Sequence, residues 1–184
     1  MTIETLKTAL PDYAKDIRLN LSSLATDQTL SPQRLWGAML AAALASREPR
    51  TIAAIETEAR NHLSQEATQA ARSAAALMAM NNVYYRFTHL VSAKDYGRMP
   101  AKLRMNAMAN PGVDRADFEL WSLVVSAING CGKCMDAHEA ELRKAGLSPQ
   151  EIQAAVRVAA IIHATAVVLD NEAARMRETQ AQAA

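Results

Sequence analysis

Residues 118–138 read FELWSLVVSAINGCGKCMDAH, and this stretch decides the fold class. Its first part, 118–128, is apolar almost all round, and Glu119 is its single charged side chain. A helix that is apolar on every face is buried in a protein core. Asn129-Gly130 then breaks the helix, and the sequence CGKC opens the next one. The pattern predicts a buried helix followed by a second helix, which pair antiparallel if the chain reverses at Gly130.

Helix signals recur along the rest of the chain. Ser31 and Ser148 each precede a proline, the arrangement of an N-cap followed by the first helical residue. Ser148 is also three residues before Glu151, which completes a capping box. No segment alternates apolar and polar residues with period two, so we expect an all-α fold, with a frayed end over 175–184. The predicted helices lie near 3–20, 32–46, 50–62, 65–80, 82–93, 100–109, 115–129, 132–144 and 149–175.

Composition bounds the class of protein. With 184 residues the chain has the length of one domain, predicted over 1–184. A net charge of +1 gives no electrostatic reason to expect nucleic acid or an anionic membrane surface as partner. No run approaches the roughly 20 continuous apolar residues of a membrane span. The first residues mix both charge signs without an apolar segment typical of secretion signals, so we expect a cytoplasmic protein.

A weak internal repeat is present. Leu35-Trp36 matches Leu120-Trp121, and Leu63-Ser64 matches Leu147-Ser148, at shifts of 85 and 84 residues. We interpret the chain as two related helical units, about 30–93 and 113–175, that share one core. Both cysteines lie in the second unit, so the chemistry is expected there.

The two cysteines, Cys131 and Cys134, form a CxxC motif at the start of a predicted helix. Two close thiols in a reducing compartment indicate redox chemistry or metal binding before a structural disulfide. Unpaired N–H groups and the helix dipole favour a thiolate at this position, where cysteine pKa values fall to roughly 3.5–7.5. Cys134 and His138 are i, i+4 neighbours and should face each other.

Spacing also predicts a proton relay. Glu119 lies roughly 16 Å before the reversal and His138 roughly 12 Å after it, at 1.5 Å per residue. In an antiparallel pair the carboxylate therefore lies level with the imidazole. The predicted order is Glu119, His138 and then a thiol, with Ser122 and Ser126 continuing a polar stripe from Glu119 towards the cysteines.

The full motif, Glu119-x11-Cys131-x2-Cys134-x3-His138, resembles the alkyl hydroperoxidase AhpD family, within the carboxymuconolactone decarboxylase-like superfamily. Further blocks similar to that family span most of the chain: Leu6–Ile17, Met80–Arg86, Leu103–Asn106, Asn110–Gly112, Phe118–Trp121 and Ser126–Cys131. The resemblance implies an all-helical fold with an internal repeat, assembled as a homotrimer. It also implies a cytosolic antioxidant peroxidase that reduces organic hydroperoxides.

Residue roles follow from the same resemblance. Cys134 would form the sulfenic acid, Cys131 would be proton donor and resolving thiol, and Glu119 and His138 would occupy the relay positions. Lys133 stands where members of the family often have histidine, and lysine cannot shuttle protons at neutral pH as imidazole does. No bound cofactor or metal is implied. The implied partners are the peroxiredoxin AhpC and, as external reductant, the lipoyl dithiol of a 2-oxoacid dehydrogenase subunit with its dihydrolipoamide dehydrogenase.

Other interpretations of the same residues stay open. The thiols suit a general dithiol–disulfide oxidoreductase equally well. A zinc-binding protein could use Cys131, Cys134 and His138, with Glu119 as a fourth ligand, although closed zinc sites are usually richer in Cys and His. Superfamily membership alone suggests a decarboxylase acting on a lactone acid. Glu119 could also be a buried acid bonded to Ser122 or to backbone, and His138 a surface residue.

Overall fold

The computed structural model describes residues 1–24 and 26–182, and within these ranges it contains nine α-helices, two short 3-10 helices and no β-strand. The predicted all-α fold class is therefore confirmed. The 3-10 helices are Asp12–Ala14 and Tyr96–Arg98. The α-helices are α1 (Ile3–Ala9), α2 (Lys15–Leu24), α3 (Pro32–Ser46), α4 (Pro49–Ala59), α5 (Gln65–Leu90), α6 (Asn106–Ala109), α7 (Arg115–Ile128), α8 (Gly132–Lys144) and α9 (Pro149–Gln182).

Three helices, α3, α7 and α9, pack against one another and form the centre of the core. On another side of α7, α5 and α8 pack against it and against each other. Trp121 on α7 is fully buried, and its indole N–H donates to the carbonyl of Arg34 on α3. A side-chain carbon at Gly37 would overlap the same indole, so the glycine lets α3 lie directly on Trp121. The apolar 118–128 segment is thus the central helix that its composition predicts.

The predicted helix ends are present where a cap specifies them. The Ser31 side chain accepts from the backbone N–H of Arg34, and Pro32 is the first residue of α3. Ser148 and Glu151 form the predicted capping box, with bonds of 2.9 Å to the Ser148 N–H and 3.2 Å to the Glu151 N–H. Because these side chains satisfy the free N–H groups of the first turn, they fix where α3 and α9 begin.

The single helix predicted over 3–20 is wrong. It is divided into α1, a 3-10 turn and α2. Pro11 explains the break, because its ring has no N–H and excludes the carbonyl four residues earlier. α1 ends before it, with the N–H of Leu10 donating to the carbonyls of Leu6 and Lys7.

The boundary predicted between 65–80 and 82–93 is also absent, because α5 is one continuous helix. Asn81 and Asn82, weak helix formers, lie in its middle with buried side chains that bond to other parts of the fold. The helix predicted over 100–109 shrinks to the four residues of α6. Lys102 has a φ of 52°, which an α-helix cannot contain.

The frayed end predicted over 175–184 is wrong for the part that the structure describes, since α9 continues to Gln182; 183–184 lie outside the described residues. Good helix formers and an ion pair between Arg175 and Glu172 support this extension. By length and composition α9 could cross a membrane, but 56% of its apolar window is buried inside the protein. That burial, against α3 and α7, is what a core helix requires.

The predicted internal repeat and the domain bounds of 1–184 stay predictions. The two tryptophans that the repeat pairs are both core residues, with Trp36 9% and Trp121 0% exposed.

The contact between Gly37 and Trp121 yields a stability prediction. Gly37→Ala should destabilise the protein by about 1–3 kcal/mol, because the added carbon overpacks a core that cannot expand freely. Urea unfolding followed by circular dichroism measures the change. Gly97→Ala is the matched control and should stay within about 0.5 kcal/mol, because among the described residues no atom lies within 4 Å of the added carbon. Equal midpoints for the two variants would contradict the close approach of α3 to Trp121.

Candidate functional site

The two cysteines lie at the start of α8, immediately after the chain reverses. Gly130 has a φ of +65°, a left-handed conformation that glycine adopts without strain, and this allows α8 to fold back beside α7. Cys131 is the N-cap residue, and its N–H donates to the carbonyl of Ser126 at 3.0 Å. The sulfurs of Cys131 and Cys134 are bonded to each other, with their Cα atoms 5.3 Å apart. The structure therefore represents the oxidised form of the pair.

The two sulfurs differ in their surroundings. Cys131 is fully buried, whereas Cys134 is 6% exposed and lines a cavity of about 210 Å³. The wall of this cavity is mostly apolar; it is formed by Met78, Asn81, Tyr85, Met105, Met108, Lys133, Cys134, Ala137 and His138. In this oxidised form Cys134 lines the cavity and Cys131 does not.

Glu119 on α7 and His138 on α8 are in direct contact. Nδ1 of His138 lies 2.6 Å from Oε2 of Glu119, and both side chains are about 5% exposed. The contact predicted from the antiparallel spacing is therefore present. A carboxylate accepts a hydrogen bond and cannot donate one, so Nδ1 carries the proton. The carboxylate fixes both the tautomer and the orientation of the ring.

The second nitrogen of the imidazole faces the cavity side. Nε2 of His138 lies 3.3 Å from Sδ of Met78, on α5. A thioether has no proton to give, so this contact leaves the lone pair of Nε2 free in the neutral imidazole. The ring is thus oriented through Nδ1, while Nε2 keeps a lone pair that no donor in the described residues occupies.

The other oxygen of Glu119 faces an exposed arginine. Oε1 lies 3.7 Å from Nε of Arg115, whose side chain is 68% exposed. A separate surface cavity of about 270 Å³, lined by Arg115, Glu141 and Lys144 among others, reaches Glu119 from that side. The carboxylate therefore joins the buried imidazole to a solvent-facing cation, which offsets part of the cost of burying its charge.

The polar stripe predicted along α7 is interrupted. Oγ of Ser126 accepts from Asn82 at 2.9 Å, and Oδ1 of Asn82 accepts from Asn129, also at 2.9 Å. Oγ of Ser122 is buried and has no hydrogen-bond partner among residues 1–24 and 26–182. Ser126 thus ties α7 to α5, and Ser122 does not link Glu119 to the cysteines.

Helix α5 contributes side chains that the motif around the cysteines does not reveal. Met78, Asn81, Asn82 and Tyr85 repeat at helical spacing along one face, which packs over α7 and α8. Tyr85 lies under the exposed Lys133, with Nζ 5.4 Å from the ring centroid. The sequence signal that could have revealed these side chains is the block 80–86, which resembles the AhpD family.

The alternative interpretations of the site can now be compared with the structure. Glu119 bonds to His138 and not to Ser122, and His138 is buried, so the simple buried-acid and surface-histidine interpretations are wrong. In the described chain no group of three or more His, Cys, Asp or Glu side chains is arranged to hold a metal ion, so the zinc interpretation gains no support.

The remaining histidines lie elsewhere. His62 stacks on Trp36 at 4.5 Å, and His163 is exposed, with Nδ1 3.2 Å from Oγ of Ser46. His89 is exposed, and its Nε2 lies 4.0 Å from the position that a Cβ atom at Gly132 would occupy.

Comparison with known proteins identifies the family. The model of the carboxymuconolactone decarboxylase family matches residues 94–175, which include all four candidate site residues. A protein of Bradyrhizobium sp. named alkyl hydroperoxide reductase AhpD is 62% identical over 170 residues, 92% of this chain and 94% of the relative. The chain belongs to the AhpD family. Relatives of the same name from Maricaulis maris and Frankia alni are 61% and 58% identical, over 94% and 92% of this chain.

Membership of the AhpD family confirms the resemblance found in the sequence, and it extends beyond the CxxC motif. The identity covers α5 as well as α7 and α8, so it includes the helix that completes the cavity. The roles of the individual side chains remain predictions, because they rest on chemistry at the cavity and not on overall similarity.

The two serines of α7 provide a matched test of the hydrogen bonds around the site. Ser126→Ala should destabilise the oxidised protein by about 1–3 kcal/mol, because it leaves the buried Asn82 amide without its acceptor. Ser122→Ala removes a hydroxyl that has no hydrogen-bond partner in the described parts of the chain, and it should be neutral or slightly stabilising. Urea unfolding of both variants measures the difference, and an equal loss of stability in the two would contradict the assignment of these bonds.

Proposed function

We propose that this chain is a thiol peroxidase that reduces organic hydroperoxides through a dithiol–disulfide cycle of Cys131 and Cys134. The shared cavity is the main support: Cys134 and His138 line the same apolar space, and Glu119 holds the imidazole with Nε2 free. The names of the AhpD relatives point to the same reaction. The apolar wall suits the organic part of a hydroperoxide.

The first chemical step consumes the hydroperoxide. The Cys134 thiol gives its proton to Nε2 of His138, and Glu119 stabilises the imidazolium. The thiolate attacks the terminal oxygen, so that an S–O bond forms as the O–O bond breaks. The electron pair leaves on the alkoxide, which takes a proton from the Cys131 thiol and departs as an alcohol.

The second step closes the disulfide. The Cys131 thiolate attacks the sulfenic sulfur of Cys134, an S–S bond forms, and hydroxide leaves with the proton held on His138, as water. Two thiols and one hydroperoxide thus give one disulfide, one alcohol and one water. The neighbouring thiol also limits irreversible oxidation of Cys134 to sulfinic acid.

Turnover requires an external dithiol, since the cycle ends as a disulfide and uses no bound cofactor. We propose as reductant the lipoyl dithiol of a 2-oxoacid dehydrogenase subunit, recharged by dihydrolipoamide dehydrogenase. The reduced Cys131 and Cys134 pair would in turn reduce the peroxiredoxin AhpC. A lipoyl group is a narrow apolar arm, compatible with a cavity of about 210 Å³. Such reductants belong to the cytoplasm, where we expect this protein to act.

We propose a homotrimer, in keeping with the family resemblance. One helix face supports association between copies: Val83, Phe87 and Leu90 on α5 are 63%, 49% and 72% exposed at helical spacing. Phe87 also contacts Tyr96 edge-on, with ring centroids 5.1 Å apart. Exposed apolar patches of this kind mark protein–protein contact surfaces.

Removal of each thiol tests the cycle. Reduced wild-type protein should consume cumene hydroperoxide and form the intramolecular disulfide, and Cys134→Ser should consume none. Cys131→Ser should react once and stop as a sulfenic acid, detectable by dimedone labelling and mass spectrometry. If the oxidised wild-type protein is reduced by dithiothreitol through disulfide exchange but the reduced protein ignores the hydroperoxide, the general dithiol oxidoreductase is the correct function.

Two substitutions test the relay. His138→Phe and Glu119→Gln should each slow the reaction of the reduced protein with cumene hydroperoxide by about 10²-fold or more, because general-base help is lost. Stopped-flow tryptophan fluorescence measures the rate. The control is His163→Phe, which changes an exposed imidazole outside the cavity and should react as wild type. Wild-type rates in both relay variants would remove Glu119 and His138 from the mechanism.

A further inference from the structure

One buried side chain in the cavity wall has an unsatisfied hydrogen-bonding atom. Asn81 is 3% exposed, and its Nδ2 lies 3.2 Å from Sδ of Met105 and 3.9 Å from Sδ of Met108. Its Oδ1 has no hydrogen-bond partner in the part of the chain that the structure describes. Asn81 lines the same cavity as Cys134 and His138.

The fold itself gives no reason for an amide at this position. A buried carbonyl oxygen without a donor costs about 1–3 kcal/mol, and an apolar side chain of the same size would avoid that cost. The adjacent Asn82 differs, because both ends of its amide bond to other residues and join α5 to α7. An unpaired acceptor on a side chain that lines a cavity indicates a ligand with a hydrogen-bond donor.

We propose that Oδ1 of Asn81 accepts a hydrogen bond from the terminal O–H of the hydroperoxide and turns that oxygen towards Cys134; this inference rests on the proposed function. An alkyl hydroperoxide offers one donor, and it is carried by the oxygen that the thiolate attacks. Nε2 of His138 is committed to the thiol proton, thioether sulfurs are weak acceptors, and the phenolic oxygen of Tyr85 accepts less strongly than an amide oxygen. Asn81 is therefore the acceptor in the wall best suited to the O–H.

The bond can persist through the reaction. The terminal oxygen moves from the O–O bond to the S–O bond while its own O–H stays intact, and the electron pair leaves on the other oxygen. Oδ1 thus holds the same hydrogen in the hydroperoxide and in the sulfenic acid. The contacts of Nδ2 with Met105 and Met108 fix which end of the amide faces the ligand. Asn81 is, in this account, a substrate-orienting residue that takes no proton.

Asn81→Leu in the full-length reduced protein tests the inference, because leucine has nearly the size of asparagine and lacks the acceptor. Two second-order rates are compared, that with cumene hydroperoxide and that of Cys134 alkylation by iodoacetamide, which needs the thiolate but has no O–H to orient. The hydroperoxide rate should fall by about tenfold, the effect of one hydrogen bond, while alkylation and its pH dependence stay within about twofold of wild type.

Asn82→Ala is the matched control, since it should lower stability but leave the ratio of the two rates unchanged. Asn81→Ala, which cannot overpack the cavity, serves if the leucine variant does not fold. Equal loss of both rates in the Asn81 variants, or loss of neither, would overturn the orienting role. If wild-type protein is alkylated but does not react with the hydroperoxide, the proposed function fails and this inference falls with it.

Discussion

The buried contact between Glu119 and His138 is the constraint on which the candidate site depends. The two residues are 19 positions apart and lie on different helices, so the contact exists only if the chain reverses at Gly130 and α8 packs along α7. Once formed, it determines which imidazole nitrogen carries the proton and where the other one points. The same reversal places the cysteines at the start of α8, so one backbone feature positions both the thiols and their proposed base.

Burying the Glu119 carboxylate destabilises the fold, and the positions of such unfavourable groups indicate where the functional site lies. The carboxylate of Glu119, on a central and mostly buried helix, loses its hydration, and one imidazole and one exposed guanidinium replace only part of it. Ser122 and Asn81 add two further buried polar atoms without partners in the described ranges. Two of these three features, Glu119 and Asn81, lie at or beside the cavity that contains Cys134, as expected where a protein trades stability for chemistry.

The sequence could predict structure that depends on residues close together in the chain. It could not predict contacts between segments that are far apart in the chain. Helix caps at Ser31 and Ser148 depend on neighbours within one turn. The contact of Glu119 with His138 depends on two consecutive helices and the reversal between them, and the structure contains all of these. The part of the site that α5 supplies depends on packing between residues about 50 positions apart. The sequence even predicted a helix boundary at Asn81, in the middle of α5. The break at Pro11 was not predicted, although a proline inside a helix is itself a signal for a break. Residues on both sides of Pro11 have a helical pattern, so the segment was interpreted as one helix.

The unequal burial of the two sulfurs has a consequence for how the proposed cycle must run. Because Cys131 is fully buried and Cys134 faces the cavity, both the hydroperoxide and the external dithiol have to approach the same sulfur through the same opening. The oxidising and reducing steps then exclude each other in space, because both use the one sulfur that lines the cavity. A dithiol at the end of a flexible arm meets this requirement, since only the arm must enter. The burial of the pair therefore supports the proposed lipoyl dithiol as reductant.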